Sequence, residues 1–256
     1  TAFGGTAEGE PLYRYYGYVV DHIIETQEQA DNAMYDSSAK GYRPSDGKNI
    51  AGRKEIGDYE WKNREGSQTK DGKDYIDSQD QFLLGYTVPH STGGLNNNFT
   101  YKNFTLNIFV DWALGHSINN NSEMRYFMNT FANNYTLIDE VKQCWKQPGD
   151  NTKYARFTAN DPDDGNANFS RTSNVFNYKG DYLCIREISL QYNVPTNKLT
   201  KLGIQNLAIT LAGNNLHYFT AVKGVSPEVG ASTTYNKDYY NYPPIRKYSV
   251  GVKVTF

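Results

Sequence analysis

Apolar and polar positions alternate along several stretches of the chain. Phe104, Leu106, Ile108, Val110 and Trp112 fall on one side of an extended segment, and Thr105, Asn107 and Asp111 on the other. That period of two marks a strand with one apolar face. Just upstream, Leu95, Asn97, Phe99 and Tyr101 alternate with Asn96, Asn98 and Thr100, and Lys102-Asn103 makes a connection tight enough for a hairpin. Ile188, Leu190, Tyr192 and Val194 alternate with Glu187, Ser189, Gln191 and Asn193; Leu207, Ile209 and Leu211 alternate with Ala208, Thr210 and Ala212. At the end of the chain Tyr248, Val250, Val252, Val254 and Phe256 alternate with Ser249, Gly251, Lys253 and Thr255. A weaker candidate at 12–20 brings the predicted set to six or so strands of about ten residues, the length at which a strand crosses a bilayer.

The connections alternate in length. Those after Tyr101 and Val194 are short, whereas 21–91, 115–181 and 215–244 are long and rich in Asn, Asp, Gly and Tyr. Short turns at one end and long loops at the other are the habit of outer-membrane barrels, and a soluble sandwich rarely holds three such loops. Within 122–143, Met124, Phe127, Met128 and Phe131 are spaced for a short helix behind a Ser122 cap, packed inside its own loop. The period of two also assigns faces. Leu106, Ile108, Val110, Ile188, Leu190, Leu207, Ile209, Val250, Val252 and Val254 are expected toward lipid, and Asn107, Asp111, Glu187, Gln191 and Lys253 toward the lumen.

Composition narrows the classes. A balance of 26 Lys+Arg against 28 Asp+Glu gives a net charge of −2, with no electrostatic reason to expect nucleic acid. Exchanging the 22 Tyr for the 22 Gly leaves the apolar share at 38%, below the ~45–50% of ordinary globular chains. Aromatics at 14% are too many for a disordered chain, and the continuous Val/Ile/Leu runs of a buried parallel sheet are missing. No run approaches the ~18–20 apolar residues of a membrane helix. Thr1 is followed by no basic and apolar leader, so the chain reads as a processed product or part of something longer. Cys144 and Cys184 read as a free pair.

The last residues, Tyr-Ser-Val-Gly-Val-Lys-Val-Thr-Phe, end an alternating strand on a terminal aromatic. Gly251, Val254 and Phe256 there resemble the signal that barrel-assembly machinery reads. Other short motifs follow in order along the chain: Tyr16-Gly17-Tyr18 with Asp21-His22-Ile23, Gly57-Asp58-Tyr59, Ile76-Asp77-Ser78-Gln79-Asp80, Leu84-Gly85, and Tyr101-Lys102-Asn103-Phe104. Then come Gly180-Asp181-Tyr182-Leu183, Gly213-Asn214-Asn215-Leu216, Pro227-Glu228-Val229-Gly230 and Tyr242-Pro243-Pro244-Ile245-Arg246. Together they resemble the C-terminal part of a SusC/RagA-type TonB-dependent outer-membrane transporter.

That resemblance implies an all-β fold. Residues 1–256 would be the C-terminal segment of a transmembrane β-barrel of about 22 strands, with the plug and earlier strands lying outside them. It implies TonB-dependent import of a nutrient oligomer, a glycan or an oligopeptide, with a SusD-like surface lipoprotein over the long loops. TonB would act through the missing N-terminal part. It places the protein in the bacterial outer membrane, in contact with the lipid bilayer, with its C-terminus periplasmic. The rival from another class is a soluble β-sandwich binding module or surface adhesin fragment. No catalytic residues are expected: the chain has no G-x-S-x-G elbow and its four His have no paired spacing.

Candidate contacts to ligand or partner are the loop aromatics Tyr59, Trp61, Trp145, Tyr154, Tyr235, Tyr239, Tyr240 and Tyr242, since aromatic faces stack on sugars and peptide side chains. The 21–91 and 215–244 loops are the expected docking surface for the lipoprotein. Asp71, Asp74, Asp77 and Asp80 sit where the family carries a calcium-type loop, so calcium is the one candidate cofactor. Thr69 and Lys73 stand where carboxylates would be expected, which favours a solvated acidic turn.

Overall fold

A computed structural model describes residues 8–36, 42–43, 48–49, 54–64, 75–128, 136–158, 167–199, 203–228, 242 and 244–256. In chain order the principal elements are β1 (Arg14–Gly17), β2 (Val20–Ile23), α1 (Gln27–Asn32), β3 (Tyr59–Trp61), β4 (Phe82–Tyr86), β5 (Ser91–Tyr101), β6 (Phe104–Leu114), α2 (Asn121–Met128), β7 (Tyr182–Asn193), β8 (Asn206–Thr220) and β9 (Lys247–Thr255). The chain divides into two compact units. The described residues up to 87 and those of 117–178 form a loop unit; those of 88–116, 179–229 and 241–256 form a sheet unit.

The sheet unit is one antiparallel sheet in the order β9-β8-β7-β6-β5. Each strand pairs with the next strand of this sheet in chain order, so the sheet is a meander; the connection from β6 to β7 holds two short strands, Ser117–Asn119 and Asn177–Lys179, that pair with each other. Lys102 takes a positive φ of 52° in the β5–β6 turn, the conformation that two-residue hairpin turns require. Register then fixes the faces. Leu106 lies opposite Leu190 and Phe99, Ile108 opposite Ile188, Ile209 opposite Val252, and Leu211 opposite Val250. Antiparallel partners share a face, so these residues form one apolar side. Asn107 opposite Ser189 and Asn98, Thr105 opposite Gln191, and Ala208 opposite Lys253 form the other. The apolar side is exposed: Phe99 by 58%, Leu211 by 51% and Val252 by 64%. The grouping read from the period of two is the grouping observed.

The segment at 12–20 differs from its expected place. It gives β1, paired with β4, and the start of β2, paired with β3, and both registers shift within a few residues. The large sheet therefore holds five strands. Tyr13-Arg14-Tyr15-Tyr16-Gly17-Tyr18 carries aromatics at both parities, so no one-sided apolar pattern pins a long register there.

The loop unit has its own core, made of Tyr59, Trp61, Ile76, Met124, Phe127, Tyr154, Phe169, Val175 and Phe176 among others. The Phe127 ring stacks on Tyr154 at 4.3 Å and lies 5.2 Å from both Phe169 and Phe176; Tyr59 meets Phe169 edge-on at 5.8 Å. Such ring pairs add about 0.5–1.5 kcal/mol each beyond the area they bury. The long connections read as irregular thus contribute a packed body. Thr26 and Gln29 close a capping box on α1. The α2 helix does lie within its loop, with Met124 and Phe127 buried, but Asn120 caps it rather than Ser122. The Asn120 side chain accepts from the Glu123 backbone N–H at 3.0 Å and donates to the Glu123 carboxylate at 3.0 Å. The helix begins at Asn121, two residues earlier than a Ser122 cap would place it. Phe131 lies outside the described residues.

Candidate functional site

The structure separates the aromatics that the sequence groups together. Tyr59, Trp61 and Tyr154 are 1–3% exposed, so they hold the loop unit together and are not available as ligand or partner contacts. Their placement follows from packing: the Tyr59 hydroxyl donates to the Lys153 carbonyl at 2.7 Å, while its ring meets Trp61 at 5.4 Å. Trp145 lies over Gly57, whose φ is +93° and where a Cβ would come within 2.5 Å of the indole. Only glycine meets both demands. Tyr242 is 86% exposed and stays open to a partner. Tyr235, Tyr239 and Tyr240 lie outside the described residues, as do Asp71 and Asp74.

Asp77 and Asp80 are drawn into their own turn. Asp77 Oδ1 accepts from the Gln79 N–H at 2.6 Å, and Asp80 accepts from the Asp77 and Arg64 N–H groups at 2.9 and 2.8 Å. A cation site needs carboxylates converging on a point; these two cap a 3-10 turn at Ser78–Asp80 instead. Among the described residues no three His, Cys, Asp or Glu side chains gather as a metal site. Gly251 and Val254 lie on β9, and Phe256 follows it, 80% exposed.

Polar networks brace the loop unit. Arg156 pairs with Asp58 at 2.6 Å and Glu55 at 2.9 Å, and Asp58 also accepts from Asn168 at 3.3 Å. Burial alone would pull the Arg156 guanidinium down, but these carboxylates outweigh it and hold it above its ordinary value. Buried Lys54 donates to Glu60, which also accepts from the Trp61 and Met34 N–H groups. The Tyr154 and Tyr178 hydroxyls both donate to Glu123, at 3.1 and 2.7 Å. Burial first, and the Glu123 carboxylate second, raise both phenols well above the usual tyrosine value. Burial likewise pushes the Cys144 thiol up to about 12, and both cysteines are free.

Beside this network lies a pocket of about 410 Å³, bounded by β2 and by Thr152, Lys153, Asn174, Val175, Asn177 and Tyr178. The Lys153 ammonium lies over the Tyr154 and Tyr178 rings, 4.5 and 5.4 Å from their centres.

The sheet unit holds a feature that sequence reasoning passed over. Arg186 is the extra residue of a bulge on β7 against β6, where Phe109 and Val110 lie opposite Glu187 and Ile185; against β8 the register also shifts there, with Asn215 and Leu216 of β8 across from it. A bulge re-aims the side chain it carries. Here the guanidinium meets Asp111 through Nε at 2.8 Å and Nη2 at 2.7 Å, Asn215 at 2.9 Å and the Tyr218 hydroxyl at 3.1 Å, and it also bonds Glu228. These bonds match the five donors a guanidinium carries. Asn215, at φ 52°, in turn donates to the Ile245 carbonyl at 3.2 Å. Three of the short motifs that carry the resemblance, at 213–216, 227–230 and 242–246, thus place a residue in or next to one network. Arg186 belongs to none of those motifs. The signal that could have found it is the break in alternation, with Arg186 and Glu187 adjacent in an otherwise two-period strand.

No family model matches the chain. A TonB-dependent receptor of Formosa agariphila is 28% identical over 194 residues, covering 73% of this chain and 18% of the relative. A second from the same organism is 27% identical over 200 residues, covering 74% and 18%. Among solved structures, a chain of the RagAB peptide transporter superposes with a TM-score of 0.62 at 18% identity, over 96% of this chain and 23% of that one. The RagAB peptide importer in its closed-closed state gives 0.56 at 17% identity over similar shares. The chain thus spans about a fifth of the length of the proteins it matches. The resemblance read from the motifs holds: the chain is a homologue of TonB-dependent receptors and has the fold of the corresponding part of a RagAB transporter chain.

Proposed function

We propose that this chain is the C-terminal wall of an outer-membrane barrel that imports a nutrient oligomer in a TonB-dependent way. The observation that carries this is the five-stranded sheet with one continuous exposed apolar face and one polar face. Such a face suits hydrocarbon, and the polar face suits a lumen. The rival, a soluble β-sandwich or adhesin module, would bury that apolar face against a second sheet. The described residues outside the sheet unit instead carry an aromatic core of their own.

The outer edges of β5 and β9 have no strand partner among the described residues, which suits a wall continued by strands outside this chain. The plug, and TonB acting through it, belong to that remainder. The long connections and the loop unit lie outside the cell in this reading, and the C-terminus is periplasmic. Of the two substrate classes, the oligopeptide is favoured by the peptide named for the RagAB transporter; a glycan is the second. A SusD-like lipoprotein is the proposed surface partner. Trp61 is buried, so exposed Tyr242 replaces it as the described aromatic to test for docking. A calcium role for the 71–80 turn finds no support in the described Asp77 and Asp80.

The test uses the full-length transporter. It should need detergent for extraction and should support growth on oligopeptide as sole nitrogen source only when TonB is intact. A cysteine replacing Lys142, which is 80% exposed, should react with an impermeant maleimide on whole cells. Extraction without detergent, or labelling of Lys142→Cys only after the outer membrane is opened, overturns the reading.

A further inference from the structure

The pocket beside β2 is a break in a strand pairing. The chain at 172–174 runs alongside the residues that lead into β2, as far as Val20: the Tyr18 N–H donates to the Thr172 carbonyl, the Asn174 N–H to the Tyr18 carbonyl, and the Val20 N–H to Asn174 Oδ1. At Asn174 the chain turns into a 3-10 turn ending at Phe176 and leaves β2. Residues 21–23 continue as strand, with β3 as their only strand partner among the described residues, and they line the pocket. An extended backbone laid there would prolong the interrupted pairing.

The walls select the chemistry of such an occupant. Asp21, half exposed, supplies an anion on β2, and Lys153 a cation on the opposite segment. The Tyr178 ring already carries the Lys153 ammonium, which leaves it a poor platform for stacking a sugar. Asn177 donates from Nδ2 to the Leu84 carbonyl at 3.0 Å, while its buried Oδ1 has no hydrogen-bond partner among the described residues. Val20, Ile23 and Val175 add apolar surface, and a volume of about 410 Å³ lies in the range of small-ligand sites.

We propose that this pocket binds a short zwitterionic amide ligand, the chemistry of a di- or tripeptide, with its amino group toward Asp21 and its carboxylate toward Lys153. The inference rests on the import reading for its setting and adds a defined subsite in the loop unit. The probes are trialanine with free termini, acetyl-trialanine-amide and maltotriose, titrated calorimetrically into the full-length transporter in detergent. Trialanine should bind, and capping both termini or substituting Asp21→Asn together with Lys153→Ala should weaken it at least about tenfold, the loss expected for bonds to charged groups. Both side chains are solvent-accessible, so the variant should fold as the parent does. Equal trialanine binding by parent and double variant, equal binding of the capped peptide, or binding of maltotriose alone would overturn the subsite. So would failure of the parent to bind trialanine. None of these outcomes touches the detergent and growth tests, which judge the import reading separately.

Discussion

Phe127 and Phe99 are the same side chain in opposite surroundings. Phe127 has no exposed surface and touches three other rings, whereas Phe99 is 58% exposed on the face of the sheet. The loop unit gathers its aromatics inward and spends its carboxylates on internal pairs such as Asp58 with Arg156 and Glu60 with Lys54. The sheet unit turns its aliphatics outward and keeps Asn107, Ser189 and Thr210 on the reverse side. One chain therefore follows two solvent rules. Water drives the first arrangement by burying apolar area; the second suits a face turned to hydrocarbon, as the import reading has it.

The contrast is broken most sharply by truncating the two phenylalanines. Phe127→Ala should destabilise the loop unit by about 3–5 kcal/mol, as for other large core aromatics, and hydrogen exchange in the α2, Phe169 and Phe176 segments should rise together. Phe99→Ala removes no protein core and should leave exchange in β5 and β6 unchanged. Comparable losses for both variants would mean that Phe99 is also packed against protein and that the outward face is an interior.

Charge gives the next largest effect. Val252→Lys on the apolar face should cost about 2–4 kcal/mol if it sits near the bilayer midplane, seen as a lower yield of folded barrel. Thr210→Lys, on the opposite face of the neighbouring strand, should be far milder. Equal folding yields for the two would remove lipid from the account of that face.

A third, smaller effect concerns Arg186. Arg186→Lys keeps the charge but loses the planar fork, so a single ammonium cannot serve Asp111, Asn215, Tyr218 and Glu228 at once. These groups are partly solvated, so the expected loss is about 1–2 kcal/mol rather than that of a sealed pair. Exchange should rise at Ser226–Glu228 and around Asn215, while β5 stays protected.

How much of this was legible in the sequence depends on which solvent rule a segment follows. The sheet was legible, because a period of two with one apolar side leaves its mark on every other residue from Phe104 to Trp112 and from Tyr248 to Phe256. The bulge at Arg186 was not, since one extra residue looks locally like any polar pair. The loop unit was legible only as composition. Its core draws on Tyr59, Phe127, Tyr154 and Phe169, residues too far apart in sequence for any period to join them, which is why three of its buried aromatics read as contacts. Gly57-Asp58-Tyr59 stands out as a motif in the sequence, yet its reasons, a positive φ under Trp145, a carboxylate on Arg156 and a ring in the core, exist only in three dimensions.

The smallest predicted effect tests whether the loop unit is as tightly closed as its rings indicate. Tyr154 and Tyr178 both hold their phenolic protons more strongly folded than unfolded, through burial and then through Glu123. A raised folded-state pKa means that the folded state keeps a proton which the unfolded chain gives up. Stability from this source is therefore complete below the unfolded tyrosine value of about 10 and declines as pH rises above it. For each proton so retained the slope is about 1.4 kcal/mol per pH unit. At neutral pH nothing should change, so alkaline titration must be carried past about pH 10, with exchange in the Phe127 and Phe176 segments as the readout. Tyr178→Phe removes one of the two retained protons and should make the alkaline decline shallower, even though it costs the bond to Glu123. An unaltered slope in that variant would mean that the Tyr178 hydroxyl reaches water in the native state. The loop unit would then be more open than its ring contacts imply, and its contrast with the sheet correspondingly weaker.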